Sequence, residues 1–302
     1  MAGNEIIKIV THNSGFHPDD VFAVAAISLV LEKEGKEFSI ARSRDLKIAE
    51  EADYLVDFGG IDDPNTNRFD HHQVGKAGER ENGIPYASFG LVWKKFGETL
   101  SGSKAISDKM DKVLVQPIDA LDNGVKLVAT ERKDVIPIDI GYLTYIFYPT
   151  WKEDPESIDK NFLELVSYAK AILRRLIVWL GDEVEAESIV LDMYNKSPDK
   201  RLIVVENNRY PWQEILSKFP EPLFVVYYNV TGDTWSMKAV RDDILSFDNR
   251  KGLPKEWAGK RDADLEEVTG VPGAVFCHNN LFMAVAKTRE GILKMAEIAM
   301  NS

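Results

Sequence analysis

The stretch VFAVAAISLVL (21–31) is apolar on nearly every side, and it constrains the fold of this chain more than any other segment. A helix without a polar face has to be covered by other elements, and a sheet does so most simply. The preceding IIKIVT (6–11) predicts a buried strand, and Pro18 suits the first position of a helix. Two more strands are predicted at 37–43 and 52–60. This β-α-β-β order predicts an α/β domain whose mainly parallel sheet is flanked by helices.

The second half of the chain predicts a smaller α+β domain. A long helical pattern from Pro155 to about Tyr194 leads into it. Two hairpin patterns follow, at 223–240 and 273–287, and they predict a mostly antiparallel sheet. We therefore expect two domains, residues 1–195 and 196–302.

Composition argues against several classes of protein. No apolar run approaches the ~18 residues that span a bilayer, and the N-terminus MAGNEIIKIV lacks the pattern of a signal peptide. The single cysteine, Cys277, excludes an intramolecular disulfide and fits a reducing compartment, so we expect a cytoplasmic protein without a membrane partner. The net charge of −12 disfavours broad, charge-driven binding of nucleic acid but allows local capture of one or two phosphates.

Histidine and aspartate concentrate where predicted strands give way to loops and helices. Four of the five histidines fall at 12–17 and 71–72. Imidazole nitrogens and carboxylate oxygens together suit manganese, cobalt or zinc, and a set richer in oxygen suits magnesium. The candidates suffice for two ions that share a carboxylate, an arrangement that activates water and holds a phosphoryl group. They are His12, His17 and Asp19, then Asp57, Asp70, His71 and His72, and finally Asp119 and Asp122.

Each cluster also has an interpretation without a metal. Asp19 could complement a helix dipole, and Asp70 could pair with Arg68. Asp122 begins an Asp-Asn-Gly sequence that is typical of a helix end. The choice between Asp119 and Asp122 also stays open, because both would lie on one helical face.

The stretch 238–261 is locally basic in an acidic protein, with seven lysines and arginines against four aspartates and glutamates. Arginine forks match phosphate oxygens and could hold a nucleotide backbone. The alternative is a solvated loop with scattered ion pairs. The sequence does not decide between them.

The order HNSGFHPDD, VDFGG, RFDHHQ and IDALDNG resembles the DHH phosphoesterase superfamily, and within it the melanocyte-proliferating-gene (Myg) family of metal-dependent hydrolases. The similarity extends through YASFGLVW, YPWQE and LPKEWAGKRDADLEEVTGVPGAVFCHNN, so it covers nearly the whole chain. Pro18 and Asp20 depart from the pattern that the chain resembles, because Cys and Glu are expected at these two positions in many relatives. Neither departure removes an expected ligand.

The resemblance implies a metal-binding catalytic domain at 1–195, a substrate-binding domain at 196–302, and an active site in the cleft between them. It implies manganese, with two ions, and with Mg²⁺ or Co²⁺ as alternatives. The implied metal ligands are His12, His17, Asp19, Asp57, His71 and Asp122, with Asp119 as the competitor of Asp122. The implied phosphate-binding groups are Lys238, Arg241, Arg261 and His278.

The resemblance also implies separate roles for neighbouring residues at 57–72. Asp57 would bridge the two ions. Asp70 would orient His71, and His72 would face the substrate phosphate as a general acid. Asp70 and His72 are therefore expected to serve catalysis rather than to bind metal.

The function implied is that of a 3′-to-5′ exonuclease on RNA or short oligonucleotides. A phosphatase or pyrophosphatase that acts on small nucleotides is one alternative, and a non-catalytic scaffold that keeps the metal site is another. The net charge favours short substrates over long polymers. The oligomeric state is left open, with a homodimer as one option.

Overall fold

The computed structural model describes residues 6–129, 132, 134–243 and 248–302. The chain divides into two units, Met1–Gly181 and Asp182–Ser302. This division falls inside a long helix, whereas the sequence places the domain boundary near the end of that helix, at residue 195. The boundary at 195 stays a prediction.

The first unit is built on a five-stranded sheet with the strand order β2-β1-β3-β5-β4. β1, β2, β3 and β5 run parallel, and β4 is antiparallel to β5. The predicted mainly parallel sheet with flanking helices is confirmed, although the two-residue strands β4 and β5 are too short to be seen in the sequence pattern. The elements are β1 (Ile7–Thr11), α1 (Pro18–Lys33), β2 (Phe38–Arg42), α2 (Leu46–Glu50), β3 (Tyr54–Val56), β4 (Asp62–Asp63), β5 (Arg68–Phe69), α3 (Ser88–Ser101), α4 (Lys104–Met110), α5 (Gln116–Asp122), α6 (Ile140–Tyr145) and α7 (Ile158–Lys196).

Helix α1 forms the centre of the first unit. Every residue from Pro18 to Leu31 is buried, as the absence of a polar face predicts. Alanine and valine dominate this stretch, and small side chains let neighbouring elements approach on several sides. α1 accordingly packs against the sheet and against α3, α5 and α6.

The helical segment that ends at Asp122 is irregular but continuous. The sequence predicts a helix over 106–125 that is interrupted at Pro117. In the structure, α4 passes into a π-helical segment, Asp111–Val115, and then directly into α5. Proline has no N–H to bond the carbonyl four residues earlier, and a wider turn accommodates this without ending the helix. Asp119 and Asp122 consequently lie on one short helix.

The second unit contains a five-stranded sheet with the order β6-β7-β8-β10-β9. β6 and β7 are parallel and the other pairs are antiparallel, so both predicted hairpins are present. Helix α9 is absent from the sequence prediction, because only Leu265 and Thr269 of its eight residues are buried and its apolar pattern is weak. The elements are β6 (Leu202–Val205), α8 (Trp212–Leu216), β7 (Phe224–Asn229), β8 (Thr234–Ala239), α9 (Asp262–Thr269), β9 (Ala274–Cys277), β10 (Met283–Ala286) and α10 (Arg289–Asn301).

Helix α7 is 39 residues long and belongs to both units. Leu180 packs in the core of the first unit, and Val190 packs in a core of the second. Across the described ranges no helix, α7 included, is both long enough and apolar enough to span a membrane.

Gly90 lies where α3 crosses α5. A Cβ atom at this position would lie 1.9 Å from Asp119 Oδ2. Gly90→Ala should therefore push the two helices apart and lower the free energy of unfolding by about 1–3 kcal/mol. Urea unfolding followed by circular dichroism measures this change.

The matched control is Gly181→Ala in α7. The added Cβ would meet Ile106 Cδ1 at 3.4 Å, an ordinary van der Waals contact. Alanine has a higher helix propensity than glycine, so the free energy of unfolding of this variant should rise by up to about 1 kcal/mol. A Gly90→Ala protein as stable as the wild type would show that α3 and α5 can separate freely.

Candidate metal centre

The predicted ligands converge at one edge of the first sheet. His12 directly follows β1, Asp57 follows β3, and His71 follows β5. Because these strands are parallel, their carboxyl ends meet at the same edge. Asp19 in the first turn of α1 and Asp122 at the end of α5 join them there.

Asp57 lies in the middle of this cluster. Its Oδ2 is 3.2 Å from His12 Nε2, and its Oδ1 is 3.3 Å from His71 Nε2. Ser88 Oγ donates a hydrogen bond to Oδ1 at 3.0 Å. The Asp57 backbone has a φ of +54°, in the left-handed region. Such a conformation costs a non-glycine residue about 1–3 kcal/mol and is concentrated at functional sites.

Asp122 lies close to two histidines of the cluster. Its Oδ2 is 3.1 Å from His71 Nε2, and its Oδ1 is 3.9 Å from His17 Nδ1. His71 Nε2 is buried and makes no well-formed hydrogen bond to any described residue, although carboxylate oxygens of Asp57 and Asp122 both lie close to it. A buried ring nitrogen left without a hydrogen bond among carboxylates fits the donor set of a divalent metal.

Among the described residues, candidate ligand atoms come within 4.8 Å of one another in three groups. The first two groups share Asp57, and the last two share His71. Each of the six residues expected as ligands occurs in at least one group, and His72 occurs as well. The groups are His12, His17 and Asp57; Asp57, His71 and His72; and Asp19, His71 and Asp122.

Asp19 has a second task in addition to its place in the cluster. Its carboxylate accepts hydrogen bonds from the backbone N–H groups of Ser88, at 3.0 Å, and Phe89, at 2.7 Å. These N–H groups belong to the first turn of α3, so Asp19 complements the N-terminus of α3 as well as of its own helix. Each carboxylate oxygen keeps a lone pair for a further partner.

Asp119 and Asp122 have different surroundings although they share α5. Asp119 Oδ1 accepts a hydrogen bond from Gly90 N–H at 3.0 Å, and its Oδ2 lies 2.8 Å from Arg80 Nη1. Asp119 thus fixes α3 and the 78–86 loop, whereas Asp122 faces the histidines. The geometry favours Asp122 as the ligand.

Asp70 contacts a different histidine from the one that the resemblance implies. Its Oδ1 lies 2.8 Å from His72 Nδ1, and its Oδ2 accepts a hydrogen bond from Gly60 N–H at 2.5 Å. Asp70 therefore orients His72 rather than His71. Its suggested partner Arg68 instead donates to the Thr66 carbonyl at 2.9 Å.

Burial and mutual repulsion govern protonation in the cluster. Burial, with Asp57 and Asp122 nearby, raises the pKa of Asp19 well above its usual range. Burial raises the pKa of Asp20 to about 7. Burial opposes protonation of His71, but the carboxylates of Asp122 and Asp57 outweigh it and raise its pKa to about 10. The cluster holds more carboxylates than its histidines neutralise, and a divalent cation would compensate the excess.

Three residues that shape the cluster are missing from the predicted site. Asp20 Oδ1 accepts a hydrogen bond from His17 N–H at 2.7 Å. Its buried Oδ2 lies 3.5 Å from His12 Nε2 and has no hydrogen bond within the part of the chain that the structure describes. Ser88 and Arg80 hold Asp57 and Asp119 respectively. The capping-box spacing of Asp20 after His17 is visible in the sequence, whereas Ser88 and Arg80 act through long-range contacts that no local pattern reveals.

The basic residues expected to bind phosphate all lie in the second unit. Lys238 and Arg241 line one cavity of about 690 Å³. Arg261 places its guanidinium 4.5 Å from the centroid of the Phe276 ring, and the His278 ring lies 6.2 Å from the same ring. The structure thus brings Lys238 and Arg241 together and places Arg261 and His278 around Phe276.

Among solved structures, the chain is similar to RecJ in complex with Mn²⁺ from Thermus thermophilus, with 11% identity and a TM-score of 0.29. That match covers 98% of this chain, which spans 52%, about half, of the RecJ chain. A TM-score this low carries no weight for the fold or the activity.

Sequence comparison is far more specific. The chain is 30% identical to MYG1 exonuclease from Homo sapiens, over 97% of this chain and 85% of the relative. It is also 30% identical to MYG1 protein from Dictyostelium discoideum, over 98% of this chain and 97% of the relative. The family model MYG1_exonuc, described as "Uncharacterised protein family (UPF0160)", matches residues 8–300. The chain therefore belongs to the MYG1 family, the family that its motifs resemble.

Proposed function

We propose that this chain is a divalent-metal-dependent phosphoesterase that removes nucleotides from the 3′ end of RNA or short oligonucleotides. The observation that carries this proposal is the position of Asp57, whose two oxygens face His12 and His71 at 3.2 and 3.3 Å. One carboxylate between two imidazoles is suited to bridging two ions. Relatives named MYG1 exonuclease support hydrolysis of a phosphodiester bond.

The donor set suits manganese, with Mg²⁺ or Co²⁺ as alternatives, because it mixes imidazole nitrogen with carboxylate oxygen. When bound, such ions lower the pKa of a water molecule and neutralise charge on the phosphoryl oxygens. Asp57 would face both ions. The residues that would hold them are His12 and His17 on one side and Asp19, His71 and Asp122 on the other.

His72 is the proposed general acid. Its side chain is 62% exposed, and Asp70 holds its Nδ1 at 2.8 Å. This contact leaves Nε2 to donate a proton to the departing 3′ oxygen as the P–O bond breaks. Water supplies the new oxygen on phosphorus, so the products are a nucleoside monophosphate and an oligonucleotide shortened by one nucleotide.

Lys238 and Arg241 are proposed to bind substrate phosphate, which their shared cavity supports. Arg261 and His278 stay predictions for the same role. A cytoplasmic location, a homodimer and a specific preference for RNA also stay predictions.

His71→Ala tests the metal centre. Purified protein with Mn²⁺ is offered 5′-labelled single-stranded RNA, a dinucleotide and pyrophosphate. The wild type should produce a ladder of shortened RNA, and the variant should lose at least about 100-fold in rate together with bound metal. Turnover of pyrophosphate alone would instead support the small-nucleotide phosphatase, and a metal-loaded wild type without any turnover would support the scaffold.

The pair Asp122→Asn and Asp119→Asn separates metal binding from structural support. Asp122→Asn should reduce the metal content and the rate on RNA by about 10–100-fold or more. Asp119→Asn should retain the metal but unfold at a lower temperature, because Arg80 loses its buried partner. Metal analysis and thermal unfolding measure the two effects, and the reverse pattern would make Asp119 the ligand.

His72→Ala tests proton donation. The rate on RNA should fall by about 10²–10⁴-fold. The rate on bis(p-nitrophenyl) phosphate should change far less, because p-nitrophenolate leaves without a proton. Equal losses on both substrates, with the metal content unchanged, would assign His72 a role other than that of general acid.

A further inference from the structure

A loop of four residues, 13–16, joins the candidate metal ligands His12 and His17. We propose that Tyr148 is a positioning residue for the metal centre, because its hydroxyl fixes the end of this loop and so places His17 in the group with His12 and Asp57. This inference rests on the proposed function. It assigns a task to a side chain that belongs to neither the ligand set nor the motifs around it.

The hydroxyl of Tyr148 binds both polar backbone groups of Phe16, which lies 132 residues away in the sequence. It accepts a hydrogen bond from the Phe16 N–H at 2.7 Å and donates one to the Phe16 carbonyl at 2.5 Å. A hydroxyl can make both bonds because it carries one donor and two acceptor lone pairs. The centroids of the two rings are 4.7 Å apart, so Tyr148 contacts the side chain of Phe16 as well as its backbone.

His17 depends on its backbone for its position, because its side chain is 60% exposed. Its Nδ1 lies 3.9 Å from Asp122 Oδ1. The His17 N–H donates to Asp20 Oδ1 at 2.7 Å, and the preceding residue, Phe16, is the one that Tyr148 binds. The backbone on the N-terminal side of this imidazole is therefore held by two side chains from outside the loop.

The other residues of the loop are held by His12 and Arg42. In the tautomer that leaves its Nε2 free to bind a metal, His12 donates from Nδ1 to the Asn13 carbonyl at 3.0 Å. Arg42 Nη2 donates to the Ser14 carbonyl at 2.7 Å and lies 3.4 Å from the Gly15 carbonyl. Ser14 has a φ of +72°, a conformation that serine seldom adopts and that these contacts maintain.

Each of the four loop carbonyls thus accepts a hydrogen bond from a side chain, and Tyr148 supplies the one next to His17. Contacts of this kind orient a metal ligand without touching the ion. Arg42 is less suited to a test, because its side chain is 2% exposed and also pairs with Asp159 at 2.6 Å. Replacing it would disturb more than the loop.

Tyr148→Phe removes only the hydroxyl and keeps the ring beside Phe16. The test is isothermal titration calorimetry of the full chain with Mn²⁺, without substrate. The site that His17→Ala weakens should bind Mn²⁺ about tenfold or more less tightly in Tyr148→Phe, and any other site should be unchanged. Tyr145→Phe makes the same change at an exposed tyrosine of the same segment, and this matched control should bind Mn²⁺ like the wild type.

A double variant asks whether Tyr148 acts through His17. In a His17→Ala background, Tyr148→Phe should cause no further loss of Mn²⁺ affinity, because the ligand that it positions is already absent. A further loss of about tenfold in that background would overturn the proposal, since Tyr148 would then act on the centre by another route.

A second measurement separates positioning from support of the fold. In Tyr148→Phe, the rate on bis(p-nitrophenyl) phosphate should fall at limiting Mn²⁺ and return to nearly the wild-type value at saturating Mn²⁺. A lower midpoint of thermal unfolding in EDTA, with unchanged Mn²⁺ affinity of the folded protein, would show a purely structural role and would overturn the proposal.

Metal binding and hydrolysis also distinguish this inference from the proposed function. A wild type that binds Mn²⁺, and loses affinity in Tyr148→Phe, but hydrolyses no phosphodiester contradicts the proposed function alone. An active wild type whose Mn²⁺ affinity is unchanged by Tyr148→Phe contradicts the positioning role alone.

Discussion

The carboxylate of Asp57 is the point on which the first unit's chemistry depends. It comes directly after β3 in a left-handed backbone conformation, with an imidazole against each oxygen. The residues that approach it belong to segments far apart in the sequence, including the loop after β1 and the loop after β5. A parallel sheet that ends these strands at one edge brings them to a single carboxylate. The topology of the sheet therefore determines which side chains form the cluster.

Much of this arrangement is visible in the sequence. The apolar run 21–31 predicts a buried helix on a sheet, and the motifs around His12, Asp57 and His71 predict which side chains meet. These features are predicted because the hydrophobic pattern of a segment and the types of its residues point to the same structure. The sequence does not predict the short strands β4 and β5, because a segment of two residues is too short to show a hydrophobic periodicity.

Other features depend on contacts that a single sequence does not encode locally. Asp119 and Asp122 look equivalent in the sequence because they lie on one helix. Only the contacts of Asp119 with Arg80 and Gly90 show that its carboxylate has partners outside the cluster. Asp70 resembles a partner of His71, yet the turn at 70–72 directs it to His72. Packing between elements distant along the chain decides the partners of Asp119, whereas the local conformation of the turn decides the partner of Asp70.

The two sets of contacts that Asp19 makes have a consequence for the stability of the folded chain. The same carboxylate stabilises the first turn of α3 and belongs to the group with His71 and Asp122. Any cation held there binds the folded chain in preference to the unfolded one, so the concentration of that cation becomes a variable in the folding equilibrium. In a cell, the abundance of the folded protein would then follow the supply of the metal as well as the rate of synthesis.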